Sequence, residues 1–156
     1  MGKTGGETEL KPNGEPKKGT LKTATKAEVK QFLSDSMVTN ENVRISLGTV
    51  SDDAKSRIKA ILGKDANRIL LDSGEIRHAM AKKEHHIVLS DLENVATIVN
   101  TTKAVSLEPK KHQNNDVLRF KEEKENGLNV IMEFRSRKGD LSLVTAYRVK
   151  KEGQTH

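Results

Sequence analysis

The sequence predicts an α+β fold in which N-terminal helices precede an antiparallel sheet that ends in a three-stranded meander. Three observations carry this. Capping residues followed by apolar residues at helical spacing recur through the first two thirds of the chain. The last third alternates apolar and polar residues with the period of two that a half-buried strand requires. Asn126-Gly127 and Arg137-Lys138-Gly139-Asp140 interrupt that alternation as turns, Asn126-Gly127 being a type I′ hairpin signal.

In chain order, residues 1–24 are rich in Gly, Lys, Glu, Thr and Pro and nearly free of apolar side chains. Such a segment cannot bury enough surface to order itself, so it reads as a flexible basic tail or linker. One α+β domain is expected over residues 25–151, with its central part at 68–151. Thr25 and Glu28 have the spacing of a capping box, and Val29, Phe32 and Leu33 then share a helical stripe. Residues 43–47 alternate as a strand. Ser51-Asp52-Asp53 opens a helix with Ile58, Ile61 and Leu62 on one face, and Gly63 stops it. Residues 68–71 form a short apolar strand, and Ser73 is placed to cap a short helix holding Ile76, Arg77, His78 and Met80. Ser90 and Glu93 suggest another capping box, ahead of Leu92, Val95, Ala96 and Val99. Residues 103–107 look extended and Pro109 ends them. Strands follow at 117–124, 128–135 and 141–149. Strict alternation puts Leu128, Val130, Met132 and Phe134 on one face and Asn129, Ile131, Glu133 and Arg135 on the other. The same rule groups Leu141, Leu143, Thr145, Tyr147 and Val149.

Composition narrows the chemistry. The 156 residues contain no Cys, which excludes disulfide scaffolds, thiolate zinc sites and cysteine nucleophiles. Three Phe, one Tyr and no Trp leave the core to aliphatic residues and argue against a multi-aromatic base-stacking platform. The formal charge of +6 favours a polyanionic partner, nucleic acid above all. No apolar run reaches membrane-spanning length, and the N-terminus lacks the apolar stretch of a secretory signal. Gly2-Lys3-Thr4 has no room upstream for the rest of a phosphate-binding loop. The histidines at 78, 85, 86, 112 and 156 show no regular metal-ligand spacing, so neither metal nor cofactor is expected.

The chemically suggestive residues are few. His78 sits near the end of a short helix, where a general acid or base can work near neutral pH; an ordinary helix-terminal histidine fits the same position. Thr145 and Tyr147 are two apart on one strand, and two hydroxyls beside Arg135 can bind a phosphate. Thr and Tyr are also simply good strand formers. Lys110, Lys111 and His112 lie on a loop bordering the same sheet.

Arg77-His78 on a short helix, the helix signature Leu89-Ser90-Asp91-Leu92-Glu93, a hairpin, and a last strand with Thr145-Ala146-Tyr147 occur in an order that resembles the phage- and toxin-associated nuclease domains of the barnase–EndoU–colicin–RelE-like superfamily. The resemblance covers about residues 70–150. It implies helices followed by a four-stranded antiparallel sheet and a metal-independent ribonuclease whose site joins a helical basic residue to polar side chains of the sheet. Carried over by position, His78, Thr145, Tyr147 and Arg135 are the expected catalytic residues. Arg77, Lys110, Lys111 and Glu133 are the expected substrate-binding ones. The implied reaction is attack of a 2′-hydroxyl on the adjacent phosphate of RNA, with tRNA one candidate substrate. The implied context is a toxin effector restrained by an acidic immunity protein. Such an effector is secreted or delivered into a bacterial cytoplasm, or acts in that of a phage-infected host. The alternative is a non-catalytic nucleic-acid-binding or phage structural module on the same fold.

Overall fold

The structure, a computed structural model, describes residues 22–149. The expected tail falls outside the described residues as far as residue 21, and so does His156.

Helix α1 (Lys26–Ser36) starts as its sequence dictates. Thr25 Oγ1 accepts from the Glu28 amide at 3.2 Å while Glu28 Oε1 accepts from the Thr25 amide at 2.8 Å. Strand β1 (Arg44–Thr49) leads to α2 (Asp52–Leu62), which Ser51 caps. Gly63 ends α2 at φ 72°, a left-handed conformation that glycine adopts without the steric cost of a Cβ. Strand β2 (Arg68–Asp72) runs directly into α3 (Ser73–Met80). Here the cap is Asp72, whose carboxylate accepts from the Gly74 amide, and not Ser73. Ser73 is buried and its hydroxyl is committed elsewhere, donating to the Glu41 carbonyl and accepting from the Val43 amide.

After a 3₁₀ turn (Lys83–His85), a 3₁₀ helix (Leu89–Asn94) passes into α4 (Val95–Thr101). The expected Ser90/Glu93 capping box does not form. Asp91 instead accepts from the Val88 amide at 2.8 Å, which starts the helical turn earlier and as 3₁₀. Strands β3 (Ala104–Leu107), β4 (Val117–Lys121), β5 (Leu128–Arg135) and β6 (Asp140–Arg148) complete the chain.

All six strands form one sheet in the order β1-β2-β6-β5-β4-β3. The meander therefore has four strands, β3 to β6. Strand β2 adds in parallel to β6, and β1 pairs antiparallel with β2. The β4–β5 connection is wider than a two-residue type I′ turn. Only Asn126 is left-handed (φ 60°), and the Glu122 amide closes the loop on the Leu128 carbonyl. Glycine stands at 127 for space, since a Cβ there would lie 2.2 Å from the Glu122 carbonyl oxygen.

The helices supply Val29, Leu33, Ala54, Ile58, Ile76, Val95, Ile98 and Val99 to one core. Leu128, Val130, Met132 and Phe134 meet them from β5, as alternation predicts. Strand β6 departs from alternation. Its register with β5 slips between Ile131 and Met132, so that Thr145 faces Ile131 while Leu143 faces Met132. Val144 is the extra residue of this bulge. Leu141, Leu143 and Ala146 consequently face the core, and Thr145 and Tyr147 turn to the opposite face with Glu133, Ile131 and Asn129. The grouping of Thr145 and Tyr147 with Leu141 and Leu143 is thereby corrected.

Candidate active site

Strand β2 pairs with β6 only as far as Leu70 opposite Ser142, and the chain then turns into α3. Helix α3 packs along the part of β6 that β2 leaves unpaired. Its Ile76 and Ala79 enter the core, while Glu75 and His78, at helical spacing, and Lys82 just past its end point to the other side. A cleft of about 700 Å³ opens there between α3, the Lys83–His85 turn, β6 and the loop before β4. Its lining includes Asp72, Glu75, His78, Lys82, His85, His112, Gln113, Arg135 and Thr145.

His112 reaches the cleft on a tight hairpin. The His112 and Asn115 backbones exchange hydrogen bonds of 3.0 and 2.9 Å. Gln113 and Asn114 between them both take positive φ, 51° and 68°, the geometry of a type I′ turn. Beneath the hairpin lies Glu133, whose side chain is 1% exposed. It accepts from Asn115 Nδ2 at 2.7 Å and from Arg135 Nε and Nη2 at 3.3 and 3.2 Å. His112 Nδ1 lies 3.4 Å from the same carboxylate, near enough for charge pairing but without hydrogen-bond alignment. Glu133 thus holds Arg135 by hydrogen bonds and lies beside Nδ1 of His112, leaving Nε2 as the other nitrogen of the ring.

Glu75 is the most electrostatically perturbed group of the cleft. Burial raises its carboxyl above the ordinary carboxylate value. His112 and His78 pull it back down, and the Asp72 and Glu133 carboxylates add to the rise. On the β6 side, Thr145 Oγ1 lies 3.4 Å from His85 Nδ1, and the His85 ring is tilted against Tyr147 with centroids 6.1 Å apart.

Of the residues expected from sequence, the structure brings His78, Arg135 and Thr145 together on the cleft. Tyr147 lies one strand repeat further along the same face, outside that lining. Glu133 is too buried to touch a substrate and acts as a support. Arg77 is turned away from the cleft. Its guanidinium is occupied by the Ser36 and Glu41 carbonyls and by Asn42 Oδ1, so it fastens the loop after α1. Lys110 and Lys111 are exposed on the approach to the hairpin, and Lys111 is 3.9 Å from Asp116. Glu75 and His85 are site residues that sequence reasoning missed, and His112 was noted on its basic loop but given no role. The i, i+3 spacing of Glu75 and His78 was a usable signal.

The geometry offers a carboxyl whose ionised form burial disfavours, three imidazoles, and a guanidinium fixed by a buried carboxylate. These are the parts of acid–base chemistry on an anionic substrate. A family model described as phage-Barnase-EndoU-ColicinE5/D-RelE like nuclease3 matches residues 49–155, about two thirds of the chain. Comparison with curated proteins and with solved structures returns no match. The four-stranded meander, the helices on one of its faces and this match agree: the chain belongs to the phage Barnase–EndoU–Colicin E5/D–RelE-like nuclease family and carries a nuclease domain of that kind.

Proposed function

We propose that the cleft cleaves RNA by intramolecular transesterification. Glu75 takes the proton of a 2′-hydroxyl, and the freed oxygen bonds to the adjacent phosphorus. The bond from phosphorus to the 5′-oxygen breaks, and His112, protonated, gives its proton to that leaving oxygen. The products are a 2′,3′-cyclic phosphate and a 5′-hydroxyl. Glu75 and His112 then return to their starting states by proton exchange with water.

Arg135 neutralises the phosphate as negative charge builds on it, with the Thr145 hydroxyl as a further donor. Glu133 acts on both: its hydrogen bonds aim the guanidinium, and its carboxylate lies 3.4 Å from the imidazole Nδ1. His78 and Lys82 stand on the α3 wall. His78, the acid or base expected from sequence, is exposed, whereas His112 is half-buried beside the Glu133 carboxylate, which favours His112 for the proton transfer. The observation that carries this reading is the convergence of a burial-raised carboxyl, Glu75, with a histidine and an arginine that share one buried carboxylate. A toxin effector held by an acidic inhibitor over the cleft belongs to the same reading.

The test is incubation of the pure protein with total RNA in EDTA, followed by end-group analysis. Cyclic phosphate termini are expected, and a 2′-deoxy substitution at the cleaved position should abolish the reaction. His112→Ala should lower kcat by about a hundredfold to ten-thousandfold, the range of a positioned acid or base, and His78→Ala by less. Cleavage that stops in EDTA, or a fully active His112→Ala protein, would overturn the mechanism. RNA binding without cleavage by the wild-type protein would indicate a binding module on this fold.

A further inference from the structure

The face of the sheet that carries Glu133 and Arg135 does not end at the cleft. Past Thr145 it continues to Tyr147 on β6, Asn129 opposite it on β5, and Lys121 opposite Asn129 on β4. Tyr147 is the only tyrosine of a chain without tryptophan. Its ring is half-buried beside His85, whose Nδ1 is at the Thr145 hydroxyl.

Asn129 is 2% exposed, yet its Nδ2 has no hydrogen-bond partner. A buried amide nitrogen left unpaired costs stability, and such groups are rare in folded proteins. An amide beside an aromatic ring, one strand repeat (about 6.6 Å) beyond a phosphate-binding hydroxyl, has the make-up of a base-reading site. Single-stranded RNA is recognised by stacking unpaired bases on aromatic rings and hydrogen-bonding their edges.

We infer that Tyr147, Asn129 and Lys121 form a subsite for one unpaired nucleobase next to the phosphate bound at Arg135 and Thr145. The base stacks on Tyr147, and the exposed Lys121 side chain yields to let its edge reach Asn129. Nδ2 then acquires the acceptor it lacks. Both donors of the subsite, the amide nitrogen and the Lys121 ammonium, suit guanine and uracil, which carry a carbonyl (O6 or O4) where adenine and cytosine carry an amino group, so guanine and uracil are preferred. This inference rests on the cleft being a phosphate site, but not on its cleaving RNA.

Because Tyr147 is the sole intrinsic fluorophore of its kind, base stacking can be read without catalysis. The full-length protein is titrated with the four ribonucleoside 3′-monophosphates, with correction for their absorbance, and with inorganic phosphate as control. GMP and UMP are expected to change Tyr147 emission and to bind about fivefold to tenfold more tightly than AMP and CMP, the value of one hydrogen bond. Phosphate should leave the emission unchanged. Asn129→Asp, which offers only acceptors, should move the preference toward the amino-bearing bases adenine and cytosine. Tyr147→Leu, followed by calorimetry, should weaken all four by at least about fivefold through lost stacking.

Equal affinity for the four nucleotides, or an emission change with phosphate alone, would overturn the subsite. These outcomes are read on the wild-type protein and stand even if a variant misfolds. A protein that shows the base preference but leaves RNA intact would refute the ribonuclease reading and keep the subsite.

Discussion

Glu75 is held where its charge is disfavoured, and this sets opposite expectations for stability and for activity. Its carboxyl is raised by burial, so the folded state holds the proton more tightly than the unfolded chain does. The contribution is therefore favourable below the ordinary value of 4.5 and is lost as pH rises through the raised folded value. At neutral pH the ionised side chain is a cost. Glu75→Gln should thus flatten the fall in stability across that window and leave the thermal midpoint at pH 7 equal to or above that of the wild type. Cleavage should fall by about a hundredfold or more. A lower midpoint at pH 7 would show that ionised Glu75 stabilises the fold and would remove the reason to regard it as a poised base. In the sequence, Glu75 reads as an ordinary acid in the first turn of a helix, where the dipole welcomes it. Its burial depends on His112, Glu133 and the rest of a wall contributed from far along the chain. No local pattern contains that information. His112, visible in the sequence only as part of a basic loop, owes its place to the hairpin that brings it over the Glu133 carboxylate of a distant strand. Arg77 shows the converse. A basic residue beside His78 looks functional in one dimension, yet one step along a helix turns it by about 100° away from the cleft, onto the last carbonyl of α1 and two oxygens of the loop after it.

Among the elements, β5 was fully legible and β6 only in part. The alternation of β5 continues through its length, and its Val130, Met132 and Phe134 lie in the core as their spacing requires. Strand β6 alternates equally well on paper but carries the bulge at Val144. The one trace in the sequence is that Leu143 and Ala146, three apart, both suit a core, and Val144 between them is apolar as well. That trace is weak, and the consequence is large: the bulge moves Thr145 and Tyr147 from the core face to the face of Glu133. Deleting Val144 should restore one-to-one pairing while keeping Thr145 opposite Ile131, Tyr147 opposite Asn129 and Ala146 in the core. Urea unfolding should then show a loss smaller than that of a major core truncation, about 3–5 kcal/mol, and cleavage should persist. A deletion variant that loses that much stability together with its activity would mean that the strand cannot hold this facing without the bulge. Gly74 shows a similar dependence on distant parts, since a Cβ there would lie 2.5 Å from Asn42 Oδ1 on the cleft rim.

At the scale of the whole molecule, the helices and the core occupy one face of the sheet, and the chemistry occupies the other. The family match begins at residue 49, but α1 and β1 before it belong to the same core through Val29 and Leu33 and to the same sheet through β2. The charge is distributed unevenly as well. The cleft lining sets Asp72 and Glu75 against Lys82 and Arg135, so the chain's +6 excess is carried outside it. On the proposed reading, an RNA strand is drawn in mainly by cations on the approach, and Lys110 and Lys111, exposed just ahead of the His112 hairpin, are placed for that. The ion pair of Lys111 with Asp116 is no obstacle, because an exposed pair at 3.9 Å holds little energy against a phosphate. Each phosphate contact on a single strand releases counterions and adds about 0.7 to the slope of log affinity against log salt. Replacing both lysines by alanine should make that slope shallower by about 1.4 and weaken binding at low salt. The loss should appear in KM more than in kcat, because the lysines hold the ground state and the transition state alike. Binding of a 2′-deoxy oligonucleotide over a range of salt concentrations measures the slope directly. A slope that does not change in the double variant would place the electrostatic footprint elsewhere on the surface and remove Lys110 and Lys111 from the substrate path.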